Sequence, residues 1–173
     1  MKLLADIGNS QIKIAQNDNQ KLLKIKSFSV EDIEKFRKYI TKTYAKKGCA
    51  LFYSSVLGDK FNRKFKKTLK GIFISETQFK STKSLMTVRN CYNQPGKLGS
   101  DRWAQIVAAH KLFKKNTMIV SCGSAISIDY VTATGIHKGG LILSGAERYN
   151  NCFLDIHNLK NIKLSNNLNN NSN

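Results

Sequence analysis

The chain has 173 residues, 41% of them hydrophobic, which is enough for one domain or two small halves with a sizeable core. Its 29 basic and 11 acidic side chains give a net charge of +18. No segment approaches the roughly 20 apolar residues of a membrane-spanning helix, and the first residues lack the pattern of a signal peptide. We therefore expect a cytoplasmic protein that has no membrane partner.

The positive charge has three explanations: a nucleic-acid surface, attraction of small anions, or a compositional bias towards lysine, asparagine and isoleucine. No nucleic-acid-binding module accompanies the lysines. They are spread over four segments rather than gathered into one arm: Lys21–Lys26, Lys35–Lys47, Lys60–Lys70 and Lys111–Lys115. This spread favours compositional bias and makes nucleic acid an unlikely partner.

The cysteines form no C-x-x-C pair and have no histidine nearby at the spacing of metal ligands. They are scattered along the chain, at Cys49, Cys91, Cys122 and Cys152. This pattern indicates reduced thiols rather than a zinc site or a disulfide framework.

The first predicted element is a β-hairpin over residues 3–14. An apolar strand ends at Asp6, a short turn follows, and Ile12 and Ile14 alternate in a second strand. Gly8 would let the backbone approach a ligand closely, and the small polar residues after it can donate hydrogen bonds to an anion. Asp6 could hold a metal ion or a water molecule.

The rest of the first half is predicted as strand, helix, strand, helix, strand, with helices packed on a mixed sheet. The strands are Leu22–Phe28, Cys49–Tyr53 and Ile72–Ile74. The apolar residues of both helices recur at helical spacing: Ile33, Phe36 and Ile40 beside Arg37 in the first, and Phe61, Phe65 and Leu69 after a capping Asp59 in the second.

Residues 75–89 show no strong periodicity and are predicted as the crossing between two halves. A loop punctuated by Pro95, Gly96 and Gly99 follows. Ser100 can cap the next helix, whose buried face would comprise Trp103, Ile106, Val107 and His110. Asp101 lies in its first turn, where an acidic side chain also complements the helix dipole without any catalytic role.

Residues 118–129 repeat the pattern of the first hairpin, with an apolar strand, a turn at Gly123 and Ser124, and an alternating strand that ends at Asp129. Two such hairpins suggest a duplicated β unit with a phosphate-binding turn in each copy. One hairpin of this kind alone would be weak evidence of phosphate binding. Tyr149, Phe153 and Ile156 could carry one amphipathic helix. Residues 161–173 are about half asparagine, which is typical of a disordered tail.

Three blocks in this order resemble the type III pantothenate kinases. They are Asp6-Ile-Gly-Asn-Ser10; Tyr92 through Leu98-Gly-Ser-Asp-Arg102; and Gly123 to Asp129 followed by Gly139-Gly140-Leu-Ile. The resemblance implies an α/β fold of the acetate-and-sugar-kinase and actin-like ATPase superfamily, with duplicated ribonuclease-H-like halves, mixed sheets flanked by helices, and a shortened second half. The halves would be residues 1–80 and 81–160.

The implied reaction is ATP-dependent phosphorylation of pantothenate at its 4′-hydroxyl, the first step of coenzyme A biosynthesis, by a homodimer that uses Mg²⁺ and a monovalent cation such as K⁺ or ammonium. Asp101 would be the general base. The first ATP-phosphate loop would comprise Asp6, Ile7, Gly8, Asn9, Ser10, Gln11, Ile12 and Lys13, with Ser124 contacting ATP from the second hairpin and Asp6 as a candidate Mg²⁺ ligand. The pantothenate pocket would be lined by Tyr92, Gly99, Ser100, Asp101 and Arg102.

The chemistry agrees with these assignments, since a primary hydroxyl needs a positioned carboxylate to take its proton. Arg102 can pair with the carboxylate of pantothenate or can tie down its own loop. Asp6, Asp101 and Asp129 all fall in the three blocks, which suits a metal–nucleotide site.

Two departures from the family pattern leave alternatives open. Ser121 stands where relatives carry an aspartate that holds the monovalent cation, and no counterpart is found of a threonine that contacts pantothenate in the dimer partner's pocket. The alternatives to an active kinase are a truncated, catalytically impaired remnant of one and a basic nucleic-acid-binding protein.

Overall fold

The computed structural model describes residues 1–18, 21–45, 47–146 and 148–149. The first seven elements are β1 (Lys2–Ile7), β2 (Gln11–Asp18), β3 (Lys21–Ser29), α1 (Ile33–Tyr44), β4 (Ala50–Ser55), α2 (Asp59–Leu69) and β5 (Ser75–Phe79). They form one sheet in the order β3-β2-β1-β4-β5, in which β1, β2 and β3 are antiparallel while β4 runs parallel to β1 and β5. The predicted series of elements is confirmed.

The core of this half lies between the sheet and its two helices. Phe65 of α2 is fully buried and lies within 5.9 Å, centre to centre, of the rings of Phe36 and Tyr53. The helical spacing of Ile33, Phe36 and Ile40 thus predicted the buried face of α1 correctly.

The last strand of the first half was predicted three residues too early. Residues 72–74 lie in the turn after Gly71, where Ile72 and Phe73 pack against the core from outside the sheet. The strand itself is the polar segment Ser75–Phe79 at the sheet edge. The apolar run was interpreted as a buried strand, but its side chains reach the core from a loop.

The predicted crossing over residues 75–89 contains more regular structure than expected. Besides β5 it holds a small hairpin of β6 (Ser84–Leu85) and β7 (Val88–Arg89). A 3-10 turn at Pro95–Lys97 then leads into helix α3 (Ser100–Phe113). The predicted buried face of α3 is confirmed, since Trp103, Ile106, Val107 and His110 are all buried.

The second sheet has three strands in the described residues: β8 (Thr117–Cys122), β9 (Ala125–Val131) and β10 (His137–Ser144). They are antiparallel in the order β10-β9-β8, which repeats the order β3-β2-β1 of the first sheet. The described residues thus have an α/β fold in which two sheets flanked by helices share the same order of three strands, as the predicted duplication requires. The predicted helix around Phe153 and the asparagine-rich tail lie outside the described residues. No helix among the described residues is long and apolar enough to cross a membrane.

A buried ion pair joins α3 to the second sheet. Arg102 donates from Nε and Nη2 to the two carboxylate oxygens of Asp129, each at 2.7 Å. His137 lies on the other side of Asp129, with Nε2 2.9 Å from Oδ1. Burial raises the pKa of Asp129, but the hydrogen bonds from His137 and Arg102 outweigh it and hold the pKa below its usual value.

Asp129→Asn is expected to cost about 3–5 kcal/mol of unfolding free energy, because it leaves the charge of Arg102 buried without a partner. A carboxylate with a lowered folded-state pKa stabilises the fold above its unfolded pKa of about 3.9, and this stabilisation disappears as the pH falls through the folded-state pKa. Below about pH 4 the unfolding free energy of the variant should therefore fall less steeply than that of the parent. Urea unfolding at neutral and acid pH measures both effects.

The matched control is Glu34→Gln in the exposed pair of Glu34 with Arg37, whose charged atoms are 3.8 Å apart. That change should cost about 1 kcal/mol or less, because exposed ion pairs contribute little. Equal unfolding midpoints for the two variants would contradict the structural role of Asp129.

Candidate active site

A cleft of about 610 Å³ opens between the two hairpins and the start of α3. It brings together most of the predicted site residues. Those that line it are Asp6, Gly8, Asn9, Ser10, Gln11, Lys13, Tyr92, Gly99, Asp101, Arg102, Ser121 and Ser124. One continuous site thus receives residues from both halves of the chain.

Three predicted residues lie outside the lining. Ile7 and Ile12 are fully buried in the core, because alternate side chains of a strand point to opposite faces of the sheet. Ser100 is also buried, and its Oγ donates to the carbonyl oxygen of Ser55 at 3.1 Å. It therefore ties the start of α3 to the end of β4 instead of facing a ligand.

The tips of the two hairpins meet across the cleft. The hydroxyl oxygens of Ser10 and Ser124 are 2.8 Å apart, although these residues are 114 positions apart in sequence. In each tip the glycine N–H donates within its own turn, Gly8 to the carbonyl of Gln11 and Gly123 to that of Ala125, both at 3.0 Å. These two N–H groups are therefore occupied within their own turns, and one of the two serine hydroxyls donates to the other.

Asp6 is held at the end of β1 by its neighbour in β4. Ser54 Oγ donates to Asp6 Oδ1 at 3.0 Å, and Lys13 lies opposite Asp6 in the β1–β2 register. Among the residues that the structure describes, no group of three or more acidic, histidine or cysteine side chains could hold a metal ion. A single carboxylate suits Mg²⁺ that arrives with phosphate oxygens and water as its other ligands.

Asp101 is the second residue of α3, and its half-buried side chain faces the cleft. Its Oδ1 accepts a hydrogen bond from the backbone N–H of Arg102 at 2.7 Å, which holds the carboxylate over the positive end of the helix. A Cβ atom at position 99 would lie 2.5 Å from this oxygen. A side chain at position 99 would therefore push the carboxylate out of this position.

Arg102 lies at the edge of the cleft, but its guanidinium is bound to Asp129. The hydrogen bonds to Asp129 raise the pKa of Arg102 despite burial, which acts in the opposite direction. Two roles were predicted for Arg102. The structure shows the bond within the protein, while pairing with a substrate carboxylate stays a prediction. Asp129 is buried in this pair and does not line the cleft, so of the three aspartates in the motif blocks only Asp6 and Asp101 face it.

Sequence reasoning did not assign Lys97, Gln105 or Ser127 to the site, although all three are polar residues of the lining. Gln105 lies four positions after Asp101, so helical spacing alone would place both on one face. Gln105 Nε2 donates to Ser121 Oγ at 3.3 Å. The residue at the position where the resemblance predicts a monovalent cation is thus a neutral hydroxyl with a neutral amide beside it.

Comparison with known proteins indicates the family of the chain. The sequence model of the family described as type III pantothenate kinase matches residues 2–167. A type III pantothenate kinase of Nitrosococcus oceani is 32% identical over 153 residues, which cover 84% of this chain and 57% of that protein. One of Hahella chejuensis is 33% identical over 103 residues, 58% of this chain and 42% of its own.

A solved structure from Campylobacter jejuni, assigned in its description to the Baf family of transcriptional activators, superposes with a TM-score of 0.55 and 26% identity. The match covers 87% of this chain and 58% of that one. The matches to these two curated relatives cover most of this chain but only about half of each relative's length. The family match, which extends over nearly the whole chain, is decisive: the chain belongs to the type III pantothenate kinase family.

Proposed function

We propose that this protein catalyses ATP-dependent phosphorylation of pantothenate at its 4′-hydroxyl, the first step of coenzyme A biosynthesis. The observation that carries the proposal is the position of Asp101, which faces a cleft that is also lined by Ser10 and Ser124, where the two hairpins meet. A carboxylate and two polar hairpins that face each other suit an alcohol acceptor and a nucleotide bound in line.

In the proposed reaction the pantothenate hydroxyl oxygen attacks the γ-phosphorus of ATP. The bond between that phosphorus and the β–γ bridging oxygen breaks, and ADP leaves. The Asp101 carboxylate accepts the hydroxyl proton as the new bond forms. Because phosphoryl transfer depends mainly on alignment and on charge stabilisation, the remaining task of the site is to hold both substrates.

The first hairpin would bind the phosphates through Asn9, Ser10 and the ammonium group of Lys13, with Ser124 on the opposite side. Asp6 would hold the Mg²⁺ that accompanies ATP, and this ion would neutralise charge on the phosphate oxygens. Tyr92 and Gly99 would shape the pocket for pantothenate. A homodimer in the cytoplasm, without membrane or nucleic-acid partners, completes the proposal.

One observation favours a catalytically impaired family member as the second candidate. The second sheet exposes Met118, Val120, Leu141 and Leu143, each more than half accessible to solvent. Among the described residues, the core next to the hairpin that carries Ser124 is therefore smaller than the core next to the hairpin that carries Ser10. A looser hairpin would align ATP less well, and misalignment is costly for catalysis.

Asp101→Asn should lower pantothenate-dependent ADP release by about 100- to 10,000-fold, the usual contribution of a general base. The amide keeps the size of the side chain and cannot take the proton. The measurement is ADP release from ATP and Mg²⁺ with and without pantothenate, after circular dichroism has shown that the variant is folded.

The control is Asp59→Asn, which also removes an acidic side chain from the first turn of a helix but lies outside the cleft. It should keep the parent rate. Full activity in Asp101→Asn would overturn its role as the base, and a folded parent without any pantothenate-dependent signal would favour the impaired candidate.

Replacing Na⁺ by K⁺ or ammonium should change the parent rate little, since Ser121 offers only a neutral oxygen beside the amide of Gln105. Ser121→Asp should make the rate depend on K⁺ or ammonium, because it adds the missing charge. Initial rates at constant ionic strength separate this effect from screening. Strong activation of the parent by K⁺ would show that the cation binds without a carboxylate at position 121.

A further inference from the structure

Cys91, His137 and Asp129 form a hydrogen-bonded row outside the proposed kinase cleft. The exposed thiol of Cys91 lies between β7 and the 3-10 turn, with Sγ 3.5 Å from His137 Nδ1. The other imidazole nitrogen, Nε2, is 2.9 Å from Asp129 Oδ1. Neither Cys91 nor His137 lines the cleft or takes part in the proposed phosphoryl transfer.

The protons in this row have one arrangement when Asp129 is ionised and the imidazole of His137 is neutral. A carboxylate can only accept hydrogen bonds, so His137 Nε2 must carry a proton. In neutral imidazole the other nitrogen, Nδ1, is then an acceptor, and it faces the Cys91 thiol. The ring of His137 is fully buried and stacks on Tyr92, at an interplanar angle of 5° and 6.2 Å between ring centres. The imidazole is therefore held in position to take the thiol proton.

A second cavity, of about 580 Å³, opens at this thiol. It shares no lining residue with the kinase cleft. Cys91 and His137 lie in its wall beside three cationic side chains, those of Lys83, Arg89 and Lys138, and the lining contains no acidic residue. Such a pocket attracts small anions and disfavours small cations.

We propose that Cys91 is a nucleophilic thiol that undergoes exchange with small anionic disulfides bound in this second cavity. The sulfur attacks one sulfur of the disulfide, the new Cys91–disulfide bond forms and the original S–S bond breaks. His137 takes the thiol proton as the attack begins and returns it to the departing thiolate. The Cys91 sulfur is oxidised and the released thiol is reduced, so the step needs no other reactant.

The first test uses the unaltered 173-residue chain and measures the reaction of every cysteine separately. After digestion with trypsin the four cysteines fall in four different peptides, because a lysine or arginine lies between each pair. The protein is incubated with glutathione disulfide, which is anionic, or with cystamine, which is cationic. Adducts are then counted peptide by peptide by mass spectrometry at several times.

With glutathione disulfide, Cys91 should react about tenfold faster than Cys122, because an unassisted thiol is only a few per cent thiolate at neutral pH. Cys122 is the internal reference, since it is equally an exposed free thiol. With cystamine the advantage of Cys91 should shrink. Equal rates at the two cysteines, or a greater advantage with cystamine, would overturn the proposal.

Two variants distinguish the effect of His137 as a base from the effect of the cationic side chains on binding of the disulfide. His137→Gln can still donate to Asp129 but cannot take up a proton, so the rate at Cys91 should fall to that of Cys122. Lys138→Gln should lower the rate with glutathione disulfide and not with cystamine, whereas Lys111→Gln, an exposed lysine of α3 outside the cavity, should change neither. Circular dichroism checks that each variant is folded.

Undiminished labelling of Cys91 in a folded His137→Gln protein would show that the imidazole plays no part. If that variant does not fold, the comparison of Lys138→Gln with Lys111→Gln still tests whether the disulfide binds in the cavity. An identical response of these two lysine variants to both reagents would refute binding in the cavity.

Discussion

The placement of the catalytic candidate depends on the buried ion pair between Arg102 and Asp129. Asp101 itself makes only a local hydrogen bond at the start of α3, and it is the neighbouring Arg102 that anchors this turn to β9. A buried ion pair often stabilises a fold no more than a well-packed apolar pair would. Its value here is directional, because two charged hydrogen bonds of 2.7 Å allow the helix one orientation relative to the second sheet.

The cleft follows from the duplication of a hairpin. Each half places a glycine turn at the end of its first strand, and the two turns face each other so that Ser10 and Ser124 touch. The copies are not equivalent. The first carries Asp6 two residues before its glycine, whereas the second carries Ser121 at that position. A carboxylate that could bind a cation is thus present in the first hairpin of the proposed nucleotide site, and a neutral hydroxyl takes its place in the second.

Much of the architecture could be predicted from the sequence, because apolar periodicity reports burial directly. The alternation of Ile12 and Ile14 and the spacing of Phe36 and Ile40 each gave the correct element. The misplaced strand at Ile72–Ile74 has the same origin, since buried loop residues also form apolar runs.

What the sequence could not provide were contacts between distant polar residues. Cys91 and His137 are 46 positions apart, and Arg102 and Asp129 are 27 apart. No local pattern indicates that an aspartate will be used inside the protein instead of at its site. For this reason Asp129 was grouped with Asp6 and Asp101, although only the last two face the cleft.

The paired glycines of β10 show how strongly the ion pair constrains the chain. A Cβ atom at position 140 would lie 2.5 Å from Asp129 Oδ1 and 2.8 Å from Arg102 Nη2, and it would also collide with the carbonyl oxygen of Ile128. Any side chain there would have to displace the pair or the strand beside it. Gly139 has a φ of +109°, a conformation that other residues rarely adopt. Gly140 is therefore a packing requirement of the anchor that positions Asp101, although it lies far from Asp101 in the sequence, whereas Gly139 is favoured by its backbone conformation.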